Sequence, residues 1–135
     1  MFSQAIVTID REPDAVYEVL ADFKTQMSFW DALHIPELEQ LDDEILEAHG
    51  TMMVGMTSHP CMVAIHLTRP KSGLVTRFQS MSGEMAAEFR IMEDGGRTRV
   101  EVNIEGYGGG MAGNITIRQL APRLLSRLKQ YFDRA

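Results

Sequence analysis

One cysteine, Cys61, is all that the 135 residues contain. An intrachain disulfide and a cysteine-built zinc or iron–sulfur cage are therefore excluded, and the chain suits a reducing compartment. Long apolar runs are missing too: no stretch approaches the roughly 18 to 20 apolar residues that a membrane-crossing helix needs. The opening Met1-Phe2-Ser3-Gln4-Ala5-Ile6 lacks a basic start followed by a long apolar segment, so a cytoplasmic location with no transmembrane segment is expected. Repeats, low-complexity tracts and domain-separating linkers are absent. Residues 1–135 are read as a single domain, of a size that buries roughly two thirds of its unfolded surface. Cations are in short supply: 13 Lys and Arg against 19 Asp and Glu leave a net charge of −6. That balance argues against a nucleic-acid partner, which requires clustered positive charge over a broad face.

The spacing that metal sites need is also lacking. His34, His49, His59 and His66 are scattered and form no ligand pair with a third ligand nearby, so neither a metal nor a cofactor is expected. By position His34 closes a helix, His59 lies in a turn before Pro60, and His66 has the parity of a solvent face. Cys61 has inward parity, where a thiol behaves as a small hydrophobe. The glycines at 106, 108, 109, 110 and 113 lack the Gly-Lys-Ser/Thr ending of a phosphate loop and the βαβ setting of a dinucleotide fingerprint. They read as a flexible connection that would let the last helix move.

What is present is uneven charge and much methionine. Residues 118–135 carry Arg118, Arg123, Arg127, Lys129 and Arg134 against one acid, Asp133. This stretch is read either as an anion-facing helix, for a weak contact with an anionic surface or an acidic partner, or as a solvated face whose cations favour a helix C-terminus. Acidic residues between Glu37 and Glu47 read as solvated loop and edge strand. There are ten methionines, and those from Met52 to Met92 either fill an irregular core or line an adaptable apolar wall.

Alternation over 4–9 sets Ala5, Val7 and Ile9 against Gln4, Ile6 and Thr8, which predicts a strand. Pro13 at a helix N1 position, Asp14 in the first turn, and Val16, Val19, Leu20 and Phe23 at helical spacing predict a helix over 13–23. A second helix is expected over 25–34, with Met27, Trp30 and Leu33 before Pro36. Six strands follow at hairpin spacing: 38–46, 51–57 ended by His59-Pro60, 61–68, one through Leu74, Thr76, Phe78 and Ser80, one through Ala87, Phe89 and Ile91, and one with Val100, Val102 and Ile104 inside. Glu93-Asp94-Gly95-Gly96 is a hairpin turn. Leu120, Leu124, Leu128 and Phe132 mark a terminal helix, in which Pro122 either lies in the first turn or kinks a helix begun near Asn114.

The pieces "VTIDREPDAVYEVLADF" with Trp30 after it, "HGTMM", "EDGGRTRVEVNIEG" and "LLSRLKQYF" occur in an order that resembles the START-like superfamily, and within it the bacterial polyketide cyclase/dehydrase and lipid-transport (SRPBCC) family. The resemblance spans nearly the whole chain. It implies an α+β helix-grip fold, Bet v 1-like, with two short helices after strand 1 and a curved seven-stranded antiparallel sheet wrapped around a long C-terminal helix. An apolar cavity would lie between sheet and helix. Parity then places Met52, Val54, Met56, Ile65, Phe78, Phe89 and Val102 opposite Leu120, Leu124 and Leu128, with Trp30 near the entrance and Thr76 and Ser80 able to bond a ligand carbonyl. Asn103 and Tyr107 are further polar candidates, and no acid–base pair stands out.

Three functions fit these residues. The first is binding or transport of a hydrophobic lipid-, quinone- or polyketide-like molecule in the cavity. A polyketide cyclase or dehydratase acting on an aromatic polyketide is the second. The third is a protein-interaction module working through Arg123 and Arg127 on the basic helix.

Overall fold

The computed structural model describes the backbone of residues 2–30, 33–40, 45–54, 57–67, 72–80, 83–108 and 110–134. Side chains are described for the same residues except 23, 27, 33–59, 61, 80, 83, 107–108 and 110–117. The element order is β1 (Phe2–Ile9), α1 (Pro13–Ala21), α2 (Phe23–Ser28), β2 (Leu33–Gln40), β3 (Ile45–Val54), β4 (Thr57–Leu67), β5 (Gly73–Ser80), β6 (Gly83–Asp94), β7 (Arg97–Gly108) and α3 (Gly110–Asp133). The strands form one antiparallel sheet in the order β1-β7-β6-β5-β4-β3-β2. Five of them, β1 and β4 to β7, have described side chains and supply the sheet's part of the core.

Period-two patterning does in the structure what it should. On β7, Val100, Val102 and Ile104 are fully buried while Arg99 and Glu105 face solvent, and on β5 the buried set is Leu74, Thr76 and Phe78. Asp94 pairs with Arg97 across Gly95 and Gly96, whose φ values of 58° and 85° are both left-handed. Two positive φ angles in a two-residue loop match the right-handed twist of the flanking strands. A Cβ at Gly96 would meet nothing within 4 Å, so Gly96→Ala is opposed by backbone strain alone, about 1–2 kcal/mol. Urea unfolding should show that loss, and a smaller one for Gly95→Asn, because asparagine tolerates the left-handed region.

Several expected boundaries move. The helix expected over 13–23 ends at Ala21, and that over 25–34 is α2 alone. Leu33 opens β2, so His34 lies in a strand rather than closing a helix. Pro36 is accommodated because β2 is an edge strand whose register shifts between His34 and Glu37, and an edge bulge does not need the proline's missing N–H. The expected strand 38–46 divides between β2 and β3, with 41–44 outside the described residues, and the expected strand 51–57 divides between β3 and β4. His59-Pro60 does not break the run: Pro60 pairs with Thr51 of β3, but β5 begins pairing only at Cys61. Among the described residues Pro60 therefore has a strand partner on one side only.

Apart from Gly109, which lies outside the described residues, the glycine stretch is not a separate connection. Gly106 and Gly108 pair with Met85 and Gly83 as the last rungs of β7, and Gly110 and Gly113 belong to α3. Pro122 lies inside this 24-residue helix. Lacking an N–H, it leaves the Arg118 carbonyl without its i+4 donor. Ser3 of β1 supplies the substitute. Its hydroxyl donates to the Arg118 carbonyl at 2.9 Å and accepts from the Ala121 N–H at 3.3 Å. Ser3→Ala strands that carbonyl at a cost of about 1–2 kcal/mol. Pro122→Ala in the same chain restores a helical donor, so a double-mutant cycle by thermal unfolding should be non-additive by about 1 kcal/mol; additivity would mean the pairing is incidental.

The far end of α3 is held as well. Arg11 Nη2 donates to the Phe132 carbonyl at 3.2 Å, the Arg11 guanidinium lies 6.0 Å from the centre of the Phe132 ring, and buried Thr98 donates to the Arg11 carbonyl at 2.6 Å. A cation is thus placed where the helix dipole favours one. Between these anchors Ala121, Leu124, Leu125, Leu128 and Phe132 form the buried stripe of α3. The helix packs chiefly on β1 and β7.

Candidate functional site

The inner face of β4 and β5 lies beyond the strands that α3 covers most, and the short helices reach it. α1 has no side-chain cap at Glu12 and starts on Pro13. At its other end the last carbonyls of a helix need partners, and Gln26 of α2 provides one: its Nε2 donates to the Leu20 carbonyl at 2.7 Å. The same amide reaches across to the sheet. Its Oε1 accepts from Thr76 Oγ1 at 2.7 Å and from Trp30 Nε1 at 3.3 Å. The indole N–H can only donate and a backbone carbonyl can only accept, so these partners fix which way the amide points.

Gln26 and Thr76 are fully buried, and Trp30 is 4% exposed. The indole meets the edge of Phe78 with centroids 4.7 Å apart at 69°. The result is one polar cluster in an otherwise apolar wall made by Val63, Ile65, Leu74 and Phe78. An apolar wall with a few convergent polar groups is the general makeup of a small-molecule site.

Of the residues singled out from the sequence, Trp30, Ile65, Phe78, Phe89, Val102, Leu124 and Leu128 belong to one core cluster, with Leu120 partly buried against it. Thr76 has the expected inward parity, and its hydroxyl proton is held by Gln26. Trp30 does not stand at an entrance: the Gln26 bond and the Phe78 contact draw it inside. The side chains of Met52, Val54, Ser80 and Tyr107 lie outside the described residues, as does Met56. Asn103 is on the outer face between Gln4 and Glu88, with its Oδ1 buried and without a hydrogen-bond partner among the described residues. Gln26 was missed by the sequence reading. Its one visible signal is the spacing Gln26–Trp30, i to i+4, which lets the two side chains meet on one helical turn.

Among the described residues no helix is long and apolar enough to cross a membrane, and no three His, Cys, Asp or Glu side chains gather as metal ligands do.

No protein-family model matches the chain, and no curated protein matches it. Solved structures do. A START superfamily protein from Mycobacterium smegmatis superposes with a TM-score of 0.73 at 13% identity, covering 98% of this chain and 97% of the other. The crystal structure of Ara h 8.0201 gives 0.72 at 8% identity, covering 100% and 99%. The Zhui aromatase/cyclase from a Streptomyces species gives 0.66 at 16% identity, covering 98% and 88%. The fold is therefore START-like and Bet v 1-like, an antiparallel sheet with a long C-terminal helix.

Proposed function

We propose that this START-like chain binds a hydrophobic small molecule, lipid-, quinone- or polyketide-like, between the inner face of its sheet and α3. The observation that carries the reading is the Gln26–Thr76–Trp30 cluster. Three polar groups converge at a buried point of an apolar wall, on the half of the sheet that α3 covers least. Thr76 Oγ1 keeps lone pairs that can accept from a ligand hydroxyl, and Gln26 Nε2 has a second N–H that can donate to a ligand carbonyl. The apolar remainder of the ligand gains about 25 cal/mol for each Å² it removes from water.

The test is native mass spectrometry of the protein purified from its own host, then denaturing extraction and identification of the released molecule. A bound lipid, quinone or polyketide supports the reading. A protein that is empty, and whose single tryptophan shows no saturable fluorescence change with a panel of apolar ligands, overturns it. The likeness to an aromatase/cyclase motivates a second reading, in which the bound molecule is a substrate. It predicts that the extracted compound changes mass by a water molecule, or cyclises without mass change, on incubation with fresh protein. An unchanged compound favours carriage.

A further inference from the structure

The two edges of the sheet are unequal. β2, at one edge, carries Pro36, Glu37 and Glu39 and a register shift between His34 and Glu37. Proline, charge and a bulge are the devices that keep an edge strand from pairing with another chain. β1, at the other edge, has none of them. Phe2–Ile9 contains no charged residue, proline or glycine, and its register with β7 runs unbroken from end to end. Among the described residues no backbone hydrogen bond joins β1 to any element other than β7.

The turn at Gly95 and Gly96 fixes which backbone groups of β1 are left over. Asp94 and Arg97 flank that two-residue loop as a hydrogen-bonded pair. Such pairs recur at every second residue, and neither the β6–β7 nor the β1–β7 register shifts. The odd-numbered residues of β7 therefore bond to β6, and the even-numbered ones bond to β1. Their partners Ser3, Ala5, Val7 and Ile9 use both backbone groups on β7. Phe2, Gln4, Ile6 and Thr8 turn theirs to the open side. The side chains of these four residues are exposed too, Phe2 at 52% and Ile6 at 53%.

We infer that β1 pairs antiparallel with β1 of a second copy of this chain, about a two-fold axis at Gln4. Phe2 then stands opposite the partner's Ile6, and by symmetry the contact occurs twice. Each facing pair exchanges both of its open backbone bonds. Gln4 donates one amide proton to Glu101 at 3.3 Å and keeps its amide oxygen for the partner's Gln4. Charge selects a copy of the chain as the occupant. Two molecules of net charge −6 repel over most approaches, and β1 is a strip on which neither carries a charge. An acidic or basic peptide would find no counter-charge there. Glu101 and Glu105 of β7, beside Ile6 and Phe2, come no closer to their copies than three strand spacings, about 14 Å. That exceeds the Debye length of about 8 Å at physiological salt. A single seam of strands this short lies at the small end of interface sizes, below about 1,200 Å², so the dimer dissociates on dilution.

The experiment is sedimentation equilibrium of the native chain, of Ile6→Lys and of Met92→Lys from about 10 μM to about 1 mM, with amide hydrogen exchange at both ends of that range. The native chain should form a dimer, and Ile6→Lys should weaken it at least about tenfold in Kd. Met92 is an exposed apolar residue of β6, two strands in from the edge, and Met92→Lys should dimerise as the native chain does. Both lysines change the net charge equally, so a difference between the variants reports position. Both replaced side chains are exposed, so melting of the monomers should be unchanged. At the higher concentration the amides of Gln4 and Ile6 should exchange more slowly, and those of Ala5 and Val7 should not change. A monomer across the whole range, a dimer that Ile6→Lys leaves at native strength or that Met92→Lys weakens equally, or a dimer in which Gln4 and Ile6 exchange no more slowly overturns the inference.

Discussion

Gln26→Leu should lower the folding free energy by about 3 kcal/mol, because it leaves three buried groups without their partner at about 1 kcal/mol each. The three are the Thr76 hydroxyl, the Trp30 indole N–H and the Leu20 carbonyl. Leucine is close to glutamine in size, so little of the loss comes from a cavity. Adding Thr76→Val removes one stranded group, and the double variant should recover about 1 kcal/mol relative to the sum of the single losses. Urea unfolding followed by the fluorescence of Trp30, the chain's single tryptophan, reads the stability and the indole environment together. A loss under about 0.5 kcal/mol, the range of a surface substitution, would show that the cluster is not a structural node. If the inner face holds a ligand, Gln26→Leu should also weaken that ligand's binding, and Thr76→Val should weaken it by a smaller factor.

Phe78→Ala should cost more, about 3–5 kcal/mol, the usual range for a large aromatic removed from a close-packed core. Phe78 is 1% exposed, stands opposite Val63 on β4 and Met85 on β6, and meets Trp30 edge-to-face. The ring contact alone contributes about 0.5–1.5 kcal/mol beyond area burial. A domain with a net stability of about 5–15 kcal/mol survives this loss with little margin, so Phe78→Leu is the companion variant that keeps the chain folded. The space opened by alanine is apolar and beside Trp30. A small apolar molecule such as benzene should raise the melting temperature of Phe78→Ala more than that of the native protein. No rescue would mean that the surrounding side chains collapse into the gap.

Some of this architecture was legible because each residue obeys a local rule. Alternation on β5 and β7 follows from one face meeting the core and the other meeting water. The turn at Gly95 and Gly96 follows from the φ values that a two-residue hairpin needs. The helix start at Pro13 follows from a donor that is not missed there. Other parts were hidden because the deciding partner is distant in sequence. Trp30 and Leu33 stand at helical spacing, which extended the second helix on paper, although Leu33 of β2 pairs with Met52 of β3. Pro36 and Pro60 read as breaks, and only the register shows Pro36 at a bulge of an edge strand and Pro60 paired within β4. Glycine's weak helix propensity concealed the first turns of α3. Parity put Ile65, Phe78, Phe89 and Val102 on the inner face, and they are buried. Gln26 was not found, since its three partners span residues 20 to 76 and the reach from α2 to β5 is set by packing.

Ser3 and Arg118 are 115 residues apart, and Arg11 and Phe132 are separated by 121. The first strand and the final helix thus hold each other, at both the proline gap and the helix end. During synthesis β1 emerges first, and its inner side chains must wait for nearly the whole chain before the surface that buries them exists. Emergence of α3 is then the event that closes the domain. Truncation anywhere within α3 leaves the earliest-made strand as the element whose apolar face is uncovered, and so the expected first site of chaperone capture or self-association.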